Sequence, residues 1–505
     1  MSQRVMELRR LLSLALGEAA VPPGLGDLCV SDVCDDSRQV TPGSVFAAVP
    51  GAAADGRVFI AEAAARGCVA IVADREATVP PGPVVIRVTD VRWAVARLAA
   101  VFQGLTAAQD RGELHVVGVT GTNGKSTTVY MIRSLLASAG QAAAMLGTIE
   151  YDLVGRRIKA SLTTPGPVVL AAHLSEAHAA GARFAVMEVS SHSLDQRRTD
   201  GIRFSTAVFT NLTQDHLDYH QTLERYLLAK RRLFDGLTDS ATAVVNGDDP
   251  SSDRMIQHCP ARILRYGLGE RNQVRATRLE SDLSGTRFLL THPHGAFEAR
   301  THLVGRHNVY NALAAAAAGL AAGLDESALR AGLASLANVP GRLQRVDTAD
   351  LGFNVFVDYA HTDDALRNVL GTVRPLTPGR LWCVFGCGGD RDRTKRPLMA
   401  RAVAEAADGF IITSDNPRTE DPLAIIREIE QGLSAADRSR AATVPDRAAA
   451  IRQAVAELRE GDTLVIAGKG HEDYQILGHE RVHFDDAEVA AEAIQRRRRV
   501  QPCGR

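Results

Sequence analysis

This chain has no surplus of either charge: 58 Lys+Arg stand against 59 Asp+Glu, a formal net charge of −1. Proteins that coat nucleic acid or an anionic membrane usually carry excess positive charge, so neither partner is expected. A local basic pocket for a phosphate is compatible with the balance. There is no run near the roughly 20 apolar residues of a membrane span. The nearest, Ala312 to Leu324, is short and Ala-rich and reads as a buried helix. Aromatics are scarce at 5%, which, with abundant Ala and Gly, suits helices packed closely on a sheet. The N-terminal MSQRVMELRRLLSLALGEAA carries Glu7 and no clear cleavage site, and reads as an amphipathic helix rather than a signal peptide. The seven cysteines (Cys29, Cys34, Cys68, Cys259, Cys383, Cys387 and Cys503) are odd in number and scattered, and Cys383 and Cys387 are not spaced as a zinc pair. Reduced, structural thiols in a cytoplasmic protein are expected.

At roughly 150 residues per domain, 505 residues predict about three domains. The first hundred residues alternate short β-like runs (Ser44 to Val49, Val69 to Val72, Val84 to Val88) with helical stretches (Ile60 to Arg66, Val91 to Gln103). The polar stretch Thr106 to Glu113 reads as a linker. Buried-strand patterns follow at Leu114 to Thr120, Phe184 to Val189, Thr206 to Phe209 and Ala243 to Val245, closing on a helix from Asn308 to Ala322 and a turn at Val339-Pro340-Gly341. The last third starts again with Val355 to Asp358, Arg380 to Phe385, Gly409 to Thr413 and Thr463 to Ala467, each followed by a loop and a helical pattern. This is an α/β chain of parallel sheets whose ligands belong beyond the strands' carboxyl ends. The domains expected are residues 1–110, 111–340 and 341–505. The Arg496 to Arg499 run is expected to cap the end of the last helix.

Gly121-Thr122-Asn123-Gly124-Lys125-Ser126-Thr127 follows the strand ending at Thr120 and precedes a helix with Val129, Ile132, Leu135, Leu136 and Ala139 on one face and Gly140 as its C-cap. Strand, glycine loop, Lys-Ser and helix form the context of a phosphate cradle. Backbone N–H groups close around the phosphates, Lys125 reaches the outer ones, and the Ser126 hydroxyl can hold Mg²⁺. The strict pattern places glycine at position 119, where this chain has Val119. An NTP site is the inference; the loop alone does not separate ATP from GTP, or a switch from a catalyst.

Glu188 ends an apolar strand, where a second Mg²⁺ contact is expected, and Asn211 to His220 gathers Asp215, His216, Asp218 and His220 after another. Mg²⁺ takes oxygen ligands and rarely histidine, so spacing leaves the role of His216 open. Read alone, Lys230 is an exposed helix lysine and Asp415-Asn416-Pro417-Arg418 an ordinary Asx-Pro turn.

Taken with Met187-Glu-Val-Ser-Ser-His192, Thr210-Asn-Leu-Thr-x-Asp-His-Leu-Asp218, Gly305-Arg-His-Asn-x-x-Asn-Ala312 and Val357-Asp-Tyr-Ala-His361, the loop closely resembles the Mur ligases of peptidoglycan synthesis. Gly386-Cys-Gly-Gly-Asp-Arg-Asp392, Asp415 to Arg418 and Gly468-Lys-Gly-His-Glu472 resemble the branch that adds the third amino acid to UDP-MurNAc-L-Ala-D-Glu. The resemblance runs in order from about Asp36 to about Asp485.

It implies a UDP-binding N-terminal domain, a central P-loop-type ATPase domain and a Rossmann-like C-terminal domain that receives the amino acid. It implies a cytoplasmic ligase, monomeric and acting on small molecules, that uses ATP and Mg²⁺ to activate the D-Glu γ-carboxylate as an acyl phosphate. Ser126 and Glu188 would hold one Mg²⁺, and His216 would serve a second beside a carbamoylated Lys230. Asn308 and Asn311 would lie near the adenine, with Arg342 and Asp358 (and, more weakly, His361) from the C-terminal side. Ser37, Thr163, Thr164, Ser190, Gln196 and Arg198 would meet the UDP-sugar peptide. The family's loop around Gly51 to Arg57 has alanine at 52–54 here.

Arg418 and Arg391, with Asp415, Asn416, Pro417, Gly468 and Glu472, resemble the diaminopimelate contacts. An arginine can grip the distal carboxylate of meso-diaminopimelate in a fork, a group lysine lacks. The same reaction with L-lysine or L-ornithine is the alternative. A folylpolyglutamate synthase, a P-loop switch or kinase, and a non-catalytic binding module are the other readings.

Overall fold

The computed structural model describes residues 4–51, 55–349 and 351–500, so the alanines at 52–54 and Cys503 lie outside the described residues. Two compact units are present: one of Met1–Ala276, Leu290–Phe297 and Tyr310–Gly332, the other of Thr277–Leu289, Glu298–Val309 and Leu333–Arg505.

The first unit opens with the helix Leu8–Leu16, which buries Leu8, Leu11, Leu12 and Ala15, the i, i+3, i+4, i+7 stripe of an amphipathic helix. The strands Asp32–Cys34, Ser44–Ala47, Ala70–Ala73 and Val84–Arg87 then form a parallel sheet in chain order. Asp90 caps the helix Val91–Phe102 by accepting the Trp93 N–H at 3.0 Å. The expected linker is largely a helix, Leu105–Asp110: Leu105 and Ala108, three apart, reach the core while Ala107 and Asp110 face outward.

The second sheet of this unit sets out the main site. Five parallel strands stand in the order Ala143–Leu146, Phe184–Glu188, His115–Thr120, Thr206–Phe209, Thr242–Asn246, followed by Arg262–Gly267. Beyond lie Val274–Asp282, Gly285–His292 and Gly295–Thr301, none of which the hydrophobic pattern announced. Register decides what meets at the carboxyl edge. Glu188 pairs with Val119, and Phe209 with Thr120, so the glycine loop, Glu188 and Thr210-Asn211 leave three adjacent strands at one level. The helix Lys125–Ser138 packs Val129, Ile132, Leu135 and Leu136 beneath the loop and ends at Ala139, with Gly140 at φ +69° just beyond.

In the second unit the sheet order is Gln344–Val346, Asn354–Asp358, Thr463–Ala467, Leu381–Phe385, Gly409–Ile412, Ala441–Thr443, parallel except at its first pair. Alternate residues feed two cores. Phe356, Cys383, Phe385, Phe410, Ile412 and Val465 face one, and Val355, Val357, Val384, Ile411, Leu464 and Ile466 face the other. Helices therefore cover both faces, the doubly wound arrangement expected of βα repetition. The last helix, Asp486–Val500, carries Arg497, Arg498 and Arg499 in its final turn as expected, and Arg497 also donates to the carbonyls of Val455 and Leu458 at the end of the neighbouring helix Arg447–Glu457.

Arg447 and Asp486, both fully buried, form a two-pronged pair with both bonds at 2.7 Å, and Arg447 also donates to the Ala467 carbonyl. Truncating one partner strands a buried charge. Asp486→Ala is expected to cost about 3–5 kcal/mol in denaturant unfolding, while Arg447→Met with Asp486→Leu loses much less.

Candidate functional site

Gly124 is left-handed at φ +86°, and a Cβ there would stand 2.4 Å from Asn311 Oδ1, so only glycine lets Asn311 lie against the loop. Thr128 also donates to Asn311 Oδ1, at 3.4 Å. The neighbouring segment holds the loop from outside. Asn123 N–H donates to Asn211 Oδ1 at 3.0 Å, and Asn211 Nδ2 and Thr210 Oγ1 donate to the Asn123 carbonyl at 3.1 and 2.6 Å. Thr122 N–H donates to the Asn211 carbonyl at 2.8 Å. Ser126 and Thr127 are buried in the first helical turn, whose N–H groups have no partner within the helix.

Lys230 overturns the expectation drawn from its position alone. It is 1% exposed, on the inner face of the helix Leu223–Asp235. Its Nζ donates to the Gly121 carbonyl at 2.8 Å and lies 4.3 Å from the Tyr226 ring centre. Lys125 Nζ donates to that same carbonyl at 3.0 Å and to Thr122 O at 2.8 Å. Burial first, and the Lys125 charge second, hold the Lys230 amine well below the usual lysine range, against the pull of Asp215.

Glu188 is buried, and both its oxygens are held: Oε1 accepts the Thr148 N–H at 2.7 Å and Oε2 the Thr148 hydroxyl at 3.1 Å. Thr148 went unnoticed in sequence. Its signal is a Gly-Thr pair beyond the strand Ala143–Leu146, at the same sheet edge. Thr163 shares a hydrogen bond with Thr148 at 3.0 Å. Thr164 donates to the Glu188 carbonyl at 2.9 Å and accepts the Ser190 N–H at 3.1 Å. Arg198 donates to the Thr164 carbonyl at 2.8 Å and clasps Gln196 Oε1 at 3.1 and 2.7 Å. Thr163, Thr164, Ser190, Gln196 and Arg198 are thus brought together beside Glu188. Ser37 belongs to a different layer, its hydroxyl donating to Glu62 at 2.9 Å.

His216, at φ +53°, sits in an aromatic group the sequence did not single out: His192 lies 4.9 Å from it and Tyr226 6.0 Å, ring centre to ring centre. Burial lowers the His192 imidazole below the usual range. Among the described residues no three His, Cys, Asp or Glu side chains converge as a metal cage. The hard oxygens of Ser126 and Glu188 fit the other kind of site, an ion that keeps phosphate oxygens and water as most of its ligands.

In the second unit, Asp415 and Asn416 are buried beyond the strand Gly409–Ile412. Asn416 donates to Glu472 Oε2 at 2.9 Å, while fully buried Lys469 donates to Asn416 Oδ1 at 3.0 Å and lies 3.4 Å from the same Glu472 oxygen. Arg418, at φ +52°, donates to the Gly389 carbonyl at 2.7 Å, and its backbone bridges to Leu477. A Cβ on Gly389 would meet the Pro417 carbonyl at 1.9 Å, so the two loops close only with glycine there. Gly468, at φ +119°, lies against Asp415, where a Cβ would stand 2.6 Å from Oδ2. Arg391 is exposed next to this pair of loops. Arg342 stacks over the Tyr359 ring at 5.1 Å, and Asp358 accepts the N–H groups of Leu343 and Ala360 at 2.7 and 2.8 Å. Asn308 donates to the Val304 carbonyl at 2.8 Å.

A phosphate loop at the edge of one parallel sheet, followed in the chain by a doubly wound unit whose own crevice carries charged residues, defines an α/β protein of the nucleotide-binding class. Residues 30–109 match the catalytic domain of the Mur ligase family, 119–319 the Mur ligase middle domain, and 341–470 the Mur ligase glutamate ligase domain. The UDP-N-acetylmuramoyl-L-alanyl-D-glutamate–2,6-diaminopimelate ligase of Solibacter usitatus is 46% identical, covering 97% of this chain and 98% of that one. The ligase of the same name from Geobacillus thermodenitrificans is 46% identical over 98% and 100%. A solved structure of a ligase of that name superposes with a TM-score of 0.74 at 34% identity, over 98% of this chain and 99% of that one. The chain belongs to the Mur ligase family and is MurE-like. No helix among the described residues is long and apolar enough to cross a membrane.

Gly124→Ala places a Cβ against Asn311 in a left-handed backbone that costs a non-glycine residue about 1–2 kcal/mol. ADP affinity, measured by calorimetric titration, is expected to fall roughly tenfold or more; an unchanged affinity would remove Gly124 from the cradle.

Proposed function

We propose that this enzyme joins meso-diaminopimelate to the D-Glu γ-carboxylate of UDP-MurNAc-L-Ala-D-Glu, in the cytoplasm and as a monomer, during peptidoglycan precursor synthesis. The observation that carries the choice of amino acid is the Asp415 to Arg418 segment. Arg418 is fixed through its backbone and one guanidinium nitrogen, and Glu472 is fixed by Asn416 and Lys469. A guanidinium and a carboxylate held this way suit the distal carboxylate and ammonium of a second amino-acid centre. In this reading residues 1–110, 111–340 and 341–505 serve the UDP-sugar, ATP and the incoming amino acid respectively.

The chemistry follows from the substrate. A carboxylate resists attack by an amine because its leaving group would be oxide. A γ-carboxylate oxygen therefore attacks the terminal phosphorus of ATP and ADP departs, leaving an acyl phosphate. The amine then forms the C–N bond while the C–O bond to phosphate breaks. Negative charge grows on phosphate oxygens at both stages, and Lys125 and Arg342 are the residues proposed to meet it. Asn308, Asn311 and Asp358 would hold the nucleotide, and Thr163, Thr164, Ser190, Gln196 and Arg198, with Ser37, the UDP-sugar peptide. When bound, Mg²⁺ would neutralise phosphate oxygens as a Lewis acid, one ion on Ser126 and Glu188 and a second on His216 and Lys230 as its carbamate.

Burial of Lys230 supports the carbamate, because only a neutral amine adds CO₂ and its surroundings disfavour the charged form. The product places anionic oxygens on the amine nitrogen, the donors Mg²⁺ requires.

With ATP and the UDP-dipeptide, purified enzyme is expected to turn over meso-diaminopimelate in preference to L-lysine or L-ornithine; preference for either of the latter contradicts the assignment. Arg418→Ala is expected to raise the diaminopimelate KM roughly 10- to 100-fold, the loss of a charged hydrogen bond, with the ATP KM little changed. An unchanged diaminopimelate KM would place Arg418 outside the site.

A further inference from the structure

Val119 stands where a stricter phosphate loop carries glycine, and it lies inside the strand, paired with Glu188 on one side and Val208 on the other. Only Gly121 to Gly124 are left between strand and helix. So short a loop has little means of fixing its own shape. Besides the Thr210 hydroxyl, which donates to the Asn123 carbonyl, the fixing groups come from Asn211. Its side chain accepts from the Asn123 N–H and donates to the Asn123 carbonyl, while its own carbonyl accepts the Thr122 N–H. This is the exchange two paired strands would make, supplied by one side chain.

Asn211 is itself clamped from behind. Asn246 Nδ2, buried at the end of the strand Thr242–Asn246, donates to the Thr210 carbonyl at 2.8 Å. Asp249 Oδ2 accepts the Leu212 N–H at 3.0 Å. The peptide groups on both sides of Asn211 are therefore tied to the next strand. Asn246 is in turn seated by the Asp248 N–H on its Oδ1 at 3.1 Å, and Asp249 by the Ser251 N–H on its Oδ1 at 2.8 Å.

We propose that Asn211 sets the shape of the phosphate loop in place of the absent glycine, and that Asn246 and Asp249 are positioning residues for the nucleotide that act through Asn211. The inference rests on the loop binding the nucleotide. It also limits which amides do so. The N–H groups of Thr122 and Asn123 are spent on Asn211, which leaves those from Gly124 onward, in the first helical turn, to face the phosphates.

Calorimetric ADP titration, substrate KM values and thermal melting of Asn211→Ala, Asn246→Ala and the double variant test this. Asn211→Ala is expected to weaken ADP binding and raise the ATP KM at least tenfold, about 1.4 kcal/mol. The KM values for the UDP-dipeptide and the amino acid should stay within about twofold. Asn246→Ala should show the same selectivity to a smaller degree. Because it acts through Asn211, the double variant should bind ADP no more weakly than Asn211→Ala alone. Asn211→Gln, which keeps the amide but displaces it by one methylene, gives the same test if the alanine variant does not fold. Unchanged ADP affinity, additive losses in the double variant, or equal weakening of all three substrates with a lowered Tm would each overturn the proposal. A wild-type enzyme that bound no ADP would instead contradict the nucleotide site itself.

Discussion

Two lysine amines, Lys125 and Lys230, donate to one backbone carbonyl, that of Gly121. Two ammonium groups so close, one of them almost fully buried, cannot both keep their charge at ordinary cost: desolvation and like-charge repulsion act in the same direction. Lys125 stands at the start of the helix that follows the loop, where a phosphate is proposed to bind. Lys230 has the Tyr226 ring and the protein interior, and its charged form is the one disfavoured. Much of the site's chemistry follows from that division. In the proposed reading a cation remains where phosphate would bind, and an amine whose charge is disfavoured stands where the carbamate would form.

The sheet makes the arrangement possible. Parallel strands in matched register end together, so loops far apart in sequence leave the edge at one level. Glu188 is presented by one strand and held by Thr148 from the next, while Thr210 and Asn211 brace the glycine loop from a third. The second unit has the same geometry at its own sheet edge. Its strand ends present Asp415 to Arg418 and Gly468 to Glu472, and glycines at the closest approaches let the two loops meet.

Where side-chain pattern and local geometry coincide, the sequence was a good guide. The strands Thr206–Phe209 and Thr463–Ala467 are apolar runs between turn signals, and the Lys-Ser start of the helix after Gly124 is unmistakable. Legibility failed where the pattern pointed to solvent. Lys230 is flanked by charge in Leu223–Asp235, and nothing in one sequence says that its turn of helix faces the loop. The strand Val274–Asp282 is polar along most of its length and reads as a loop. Leu105–Asp110 was hidden by a short apolar face of only two residues. Asn211 and Asn246 act through hydrogen bonds to backbone, and Thr148 through its N–H and hydroxyl on the Glu188 carboxylate, none of which carries a compositional signal. The roles of Asp415 to Arg418 and Lys230 came from resemblance to a family, and the structure supplies the physical setting in which such roles make sense.

The central proposal is that the Lys230 amine, its charge disfavoured by burial, captures CO₂. Carbon-13 NMR of the enzyme equilibrated with carbon-13-labelled bicarbonate tests it most directly. The account predicts an enriched carbamate resonance in the wild type that is absent from Lys230→Ala. No enriched resonance at saturating bicarbonate, or the same resonance in the variant, would contradict it.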